Sequence, residues 1–123
     1  MQNEKEKFKK DFIKRLINFS LQVIKFCGRI KEEKISWSIA DQLVRSATSI
    51  GANVVEAKSS SSKKDYLHFF EIALKSANET KYWLLLVRES LSNLAGEANQ
   101  LLKEADEISR VIGSSVLTLK GKK

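Results

Sequence analysis

Arg45, Asn53, Glu56, Ser76 and Glu79 are the side chains whose types and spacing suit polar work, and they suit hydrogen bonding better than bond making. Four of the five belong to, or pair with, the run QLVRSATSIGANVVEA from Gln42 to Ala57, which carries two stripes on what reads as one helix. Leu43, Ala47, Ile50, Val54 and Ala57 recur at alternating spacings of four and three, while Gln42, Arg45, Ser49, Asn53 and Glu56 form a second, polar stripe. At about 100° per residue the polar stripe spans about 80° and is centred about 130° from the apolar one. A helix that only covers a core needs one stripe. The second reads either as a recognition surface for RNA, DNA or a protein, or as a network that fixes helix pairing or a subunit interface, with Arg45 opposite Glu79 or Glu56. Mixed charge favours the network, because nucleic acid asks for an excess of cations at its contact surface.

Other chemistry is thinly represented. His68 is the only histidine and no cysteine pair accompanies it, which excludes a histidine-rich zinc site. Glu56, Glu71 and Glu79 could cluster as in di-iron bundles, but that site needs Glu-x-x-His on two helices. Cys27 has no nearby histidine to hold a thiolate and reads as a core residue. Glycine-rich phosphate loops, a nucleophile elbow and HExxH are absent. The expectation is a protein that is not an enzyme, with no metal and no cofactor.

The elements that must position these residues are helical. Proline is absent from the 123 residues, which removes the strongest helix breaker. Periodicity and breakers predict four helices at about 4–27, 36–58, 63–91 and 97–119 in one domain over 1–123. The first has Phe8, Phe12, Phe19, Val23 and Phe26 on one face and Gly28 as its stop. Ser36 or Ser38 caps the second. Ser59 to Ser62 is the clearest loop, and Ser62 with Asp65 makes an N-terminal capping pattern for the third. Along the third, Tyr66, Phe69, Ala73, Ala77, Thr80, Leu84, Val87 and Leu91 keep the three-four spacing; the fourth repeats it with Ala98, Leu101, Ala105, Ile108, Ile112 and Leu119. Short links between helices of similar length predict an all-α, antiparallel up-down-up-down four-helix bundle.

The residues Gln42-Leu43-x-Arg45-x-Ala47-x-Ser49-Ile50-x-x-Asn53-x-x-Glu56, followed by Ala73, Ser76, Ala77 and Glu79, resemble the four-helix bundle family of 23S rRNA-intervening-sequence proteins. The likeness runs roughly from Phe8 to Leu119, and its specific part is Gln42 to Glu79. Ala57 and Lys75 stand where the family commonly has glycine, and Ser59 to Ser62 followed by Lys63 and Lys64 replaces an arginine frequent in that loop. The resemblance implies a bundle that closes into rings of five. The family name records where its reading frames lie and does not imply rRNA binding. Some relatives resemble accessory proteins of retroelement reverse transcriptases, an alternative partner class.

Apolar residues off the core stripes, Trp37, Val44, Val55, Trp83, Leu85 and Leu86, also point to self-association, since such surface needs a cover. The net charge of +7 lies wholly in the first half: residues 1–64 hold 14 Lys and Arg against 7 Asp and Glu, and residues 65–123 hold 8 against 8. A basic half attracts polyanions without choosing among them. Lys7, Lys10 and Lys14 share one face of the first helix, and Lys63 with Lys64 opens the third, where backbone N–H groups add attraction for phosphate. An up-down bundle puts both groups at one end. Phe8 and Phe12 are assigned to the core stripe, so base-stacking aromatics are not expected there. No stretch approaches the ~20 apolar residues of a membrane span, and no signal peptide is seen, so the chain reads as cytoplasmic. The functional expectation is an oligomeric bundle, most simply a homopentamer, binding nucleic acid or a nucleoprotein through a repeated basic surface. The rival is a protein-interaction or assembly module that binds no nucleic acid.

Overall fold

Phe12, Leu16, Phe19, Val23, Phe26 and Ile30 recur at spacings of four and three and are all buried, which sets the inner face of the first helix. In the computed structural model, which describes residues 3–33 and 37–121, the helices are α1 (Glu4–Glu32), α2 (Trp37–Lys58), α3 (Lys63–Ser90) and α4 (Ala95–Leu119), with one 3-10 turn, Ser92–Leu94, before α4. Consecutive helices pack antiparallel, and no strand occurs among the described residues. The architecture is the four-helix bundle expected from the periodicity.

Two starts are capped as the residue types dictate. Asn3 Oδ1 accepts from the Glu6 N–H at 2.8 Å, and Ser62 Oγ accepts from the Asp65 N–H at 3.1 Å. Gly28 does not stop α1, which continues to Glu32. Its backbone stays helical because Ile30, just beyond it, is fully buried; that burial contributes about 1.5–3 kcal/mol, against about 1 kcal/mol for glycine in a helix. Ser38 lies inside the first turn of α2 and does not precede it. Ser36, the other expected cap, lies outside the described residues.

One expected core position is corrected: Phe8 is 59% exposed. Tyr66, Phe69 and Leu119 are half-buried and pack against the core, whose fully covered neighbours are Phe70 and Val116. On α3 and α4 the fully covered position lies within a turn of the expected one, because the facing helix decides which side of a wide apolar face is covered.

The contacts of α3 with α2 and with α4 are the most extensive in the bundle, and small polar side chains lie along the one with α2. Thr80 Oγ1 lies 3.0 Å from Ser46 Oγ and 2.8 Å from the Ser76 carbonyl, while Ser49 Oγ and Ser76 Oγ are 2.9 Å apart. Ser46 and Thr80 are buried, so each hydroxyl must find a partner inside the protein. The opposite seam is loose. Helices α1 and α4 touch at few backbone positions, and long side chains bridge them. Arg15 donates from Nε to Glu104 Oε2 at 2.7 Å and from Nη2 to Glu104 Oε1 at 2.6 Å, with Glu107 Oε1 at 3.2 Å. The hydrogen bond to Glu104 raises the Arg15 pKa above its usual value. Arg29 pairs with Glu97 further along the same seam.

Thr80→Val keeps the shape and removes the hydroxyl, so it is expected to lower stability by about 1 kcal/mol. Ser46→Leu inserts bulk into the buried contact between α2 and α3 and should lower it by about 1–3 kcal/mol. Urea unfolding of both variants measures this. A Ser46→Leu protein as stable as the parent would mean that the two helices are not held at close approach.

Candidate nucleic-acid interface

The start of α1, the end of α2, the start of α3 and the end of α4 share one end of the bundle. Lys7, Lys10 and Lys14 are exposed on the side of α1 away from the buried stripe, and Lys63 and Lys64 are exposed in the first turn of α3, directly after the Ser62 cap. Four further lysines stand at this end: Lys5 and Lys9 on α1, Lys58 as the last residue of α2, and Lys120 just past α4, where it pairs with Glu71. Across residues 3–14 and 56–65 the chain holds eight lysines against five carboxylates, Glu4, Glu6, Asp11, Glu56 and Asp65. Among the described residues none of these eight lysines is in an ion pair. The other end and the flanks spend their charges on one another, through Lys31 with Asp41, Arg88 with Glu89, and Lys81 and Arg110 with Asp106. Hydrogen bonds from Arg110 and then Lys81 hold the Asp106 carboxyl below the usual carboxylate range.

This end is also aromatic, contrary to the assignment of Phe8 to the core. Phe8 stacks on Phe12 with ring centroids 6.3 Å apart, Tyr66 on Phe70 at 4.9 Å, and Lys9 Nζ lies 5.4 Å from the centre of the half-buried Tyr66 ring. Phe8 escapes burial at the sparsely packed α1/α4 seam, where it lines a cleft with Tyr66 and Val111 and does not enter the core. The signal was present in Lys5, Phe8, Lys9 and Phe12, which share a face by three-four spacing.

The polar stripe divides into an inner and an outer part. Ser49 and Ser76 meet, and Asn53 Nδ2 donates to the Ser49 carbonyl at 2.8 Å and to Ser49 Oγ at 3.0 Å. Gln42, two turns earlier on α2, is half-buried. Arg45, Glu56 and Glu79 are exposed, and among the described residues no ion pair joins Arg45 to either carboxylate. The expected Arg45 pairing is therefore not formed within the chain: Arg45 and Glu56 lie on the outer side of α2, where solvent competes for both. Sequence reading placed Thr80 on the core stripe, where it is buried, but missed Ser46 and the hydroxyl contact between the two.

A second exposed feature was missed. Ile17, Leu21 and Ile24 are 53%, 54% and 48% exposed, and with Val55 at 44% they form an apolar strip along α1 and α2. They continue the spacing of Lys10 and Lys14, so one outer face of α1 passes from basic to apolar. Of the six off-stripe residues named from sequence, Trp37, Val55 and Leu85 are exposed and Val44, Trp83 and Leu86 are half-buried.

Nucleophile and base are not brought together. His68 is exposed near the start of α3 with the Phe69 ring as its neighbour. Cys27 is buried towards the other end, its Sγ 3.4 Å from the Ala40 carbonyl. Among the described residues no three potential metal ligands cluster, and no helix is long and apolar enough to cross a membrane.

The family model described as 23S rRNA-intervening sequence protein matches residues 9–114. A crystal structure of a protein of unknown function from the S23 ribosomal protein family of Bacteroides thetaiotaomicron is similar with a TM-score of 0.80 and 28% identity, covering 85% of this chain and 97% of that one. No curated protein matches the chain.

Burial pushes the Cys27 thiol up to about 11, so almost none is thiolate at neutral pH. Cys27 is expected to react with an aromatic disulfide reagent orders of magnitude more slowly in the native protein than in urea. A native rate equal to that of free cysteine would show that the core opens at this point.

Proposed function

Since the chain belongs to the 23S rRNA-intervening sequence protein family, and given the unpaired lysines at one end of its bundle, we propose that it is a non-enzymatic, self-associating bundle that binds nucleic acid or a nucleoprotein. The lysines carry this reading. A lysine with no carboxylate partner keeps its full attraction for phosphate, and neutralising phosphates releases counterions from the nucleic acid. Lys7, Lys10, Lys14, Lys63 and Lys64 act as point charges on the backbone and read no sequence. Each copy offers few contacts. Several copies in one assembly multiply them, because the second end binds at the effective concentration set by the first.

Self-association is supported by the outward strip of Ile17, Leu21, Ile24 and Val55, whose exposure a lone bundle does not require. A closed ring, with five subunits as the simplest case, buries this strip in every copy. The polar residues Gln42, Arg45, Ser49, Asn53, Glu56, Ser76 and Glu79 serve helix pairing through Ser49, Asn53 and Ser76 and remain available to a partner subunit through the charged ones. The rival, an assembly module without nucleic-acid binding, predicts the same oligomer and no retention on RNA.

Sedimentation equilibrium at micromolar concentration is expected to give an oligomer, and Ile17→Glu with Leu21→Glu is expected to shift it to monomer while circular dichroism stays unchanged. A parent that is monomeric throughout removes the self-association claim.

Replacing Lys7, Lys10, Lys14, Lys63 and Lys64 by Gln is expected to weaken RNA and DNA ligands alike. The slope of log affinity against log salt should flatten by about 0.7–0.9 for each phosphate that a lysine no longer neutralises. If the parent binds no mixed RNA pool even at low salt, the assembly module is the correct reading. If the variant binds as tightly as the parent, the basic end is not the contact surface.

A further inference from the structure

Between α1, α3 and α4 at the basic end lies a cleft of about 290 Å³ whose walls include Phe8, Tyr66 and Val111, and whose inner part meets the buried rings of Phe12 and Phe70. Lys5 and Lys9 approach it from α1 and Lys58 from α2, and no carboxylate is among its lining residues. It opens onto a shallower groove, about 600 Å³, that follows the seam past Arg110 and Thr118. We propose that this cleft takes one unstacked base of a single-stranded nucleic acid, with the flanking phosphates on Lys5, Lys9 and Lys58. The proposal rests on the nucleic-acid reading above and adds to it a preference for single strands.

Size, walls and charge each favour this occupant. The volume lies at the small end of the about 300–1,000 Å³ typical of ligand pockets, which suits one planar ring system. The walls are rings contributed by two helices, and aromatic faces hold bases of any identity because every base has a π-face. An unstacked nucleotide carries phosphate on both sides of its base, and the cations here come from two different helices. An amphipathic carboxylate has one charged head and would need them on one side only. Polar groups able to read a base edge are scarce: the Ser115 hydroxyl donates to the Val111 carbonyl at 3.1 Å and keeps only its acceptor capacity. The cleft therefore holds bases without selecting strongly among them. Duplex nucleic acid keeps its bases stacked and cannot fill it.

Phe8 is the residue to change, because its exposure means that truncation leaves no core cavity. The probes are a short oligouridylate and an abasic ribose-phosphate strand of equal length, both followed by fluorescence anisotropy at low salt. The parent is expected to bind oligouridylate more tightly than the abasic strand by about fivefold or more. Phe8→Ala should bring oligouridylate down to the abasic level and leave the abasic strand unaffected, while Phe8→Tyr should retain the difference. Equal binding of the two strands by the parent would overturn the base cleft and leave the basic end standing. A loss of both strands alike in Phe8→Ala would do the same. Binding of neither strand would overturn the nucleic-acid reading itself. Decanoate displacing oligouridylate at concentrations where uridine monophosphate does not would assign the cleft to an amphipathic carboxylate and sink the proposal.

Discussion

Helix α3 packs as extensively on α2 as on α4, and its contact with α2 encloses hydroxyl groups that must find partners inside the protein. Two hydroxyl pairs, Ser46 with Thr80 and Ser49 with Ser76, cross that contact at 3.0 and 2.9 Å, and the axial separation of packed helices follows the size of the side chains between them. In a ring of four helices the α4/α1 seam lies opposite the α2/α3 contact, and it is the one left open. Backbones part there, and only long side chains span the gap. The bidentate Arg15–Glu104 bond suits that distance, since a guanidinium fork holds a carboxylate at the end of a flexible stem. Its partial exposure limits its contribution to about 1 kcal/mol or less. The seam is consequently fastened at Arg15 and Arg29 and gapes beyond Arg15, where Phe8 and Tyr66 line the cleft.

The fold was largely legible because helix periodicity reports burial directly. Phe12, Phe19, Val23 and Phe26 on α1, and Ala98, Leu101, Ala105, Ile108 and Ile112 on α4, fall where the three-four spacing puts them. What failed depends on distances between helices. Phe8 keeps the spacing of the core stripe, yet it stands at the wall of a cleft with Tyr66 and Val111, and spacing along one helix carries no information about how closely its neighbours pack. Gly28 misled for a related reason: a local stop signal worth about 1 kcal/mol was outweighed by burial of Ile30. The outward apolar strip on α1 was readable, because Ile17, Leu21 and Ile24 repeat out of phase with the core stripe. A helix with two apolar phases has two partners to satisfy.

Charge usage separates by position. Arg15, Arg29, Arg88 and Arg110 each hold a carboxylate, as do Lys31, Lys81 and Lys120, whereas Lys5, Lys7, Lys9, Lys10, Lys14, Lys58, Lys63 and Lys64 hold none among the described residues. A guanidinium presents several donors in a fixed plane and suits defined intramolecular bonds, while an ammonium on a mobile stem stays hydrated and adapts to whatever phosphate approaches. Arg45 departs from the other arginines. It stands on the outer side of α2 without a carboxylate partner among the described residues, beside a hydroxyl network whose members bond one another. Polar stripe residues with inward phase bond one another between the helices, and those with outward phase are left to solvent.

Under the proposed function, assembly and polyanion binding would not be independent on this surface. Lys10, Lys14, Ile17, Leu21 and Ile24 follow one another at four-three spacing, so covering the apolar strip with a second copy draws the lysines of each subunit towards its neighbour. Like charges gathered at such a rim repel, and repulsion between exposed charges is felt within a Debye length of about 8–10 Å at ordinary salt. A phosphate backbone laid across the rim neutralises them and relieves that cost. Linkage then works in both directions: nucleic acid that binds the assembled form better must favour assembly by the same factor by which assembly favours binding. On that proposal the basic end and the apolar strip would be two halves of one equilibrium, joined through a single face of α1.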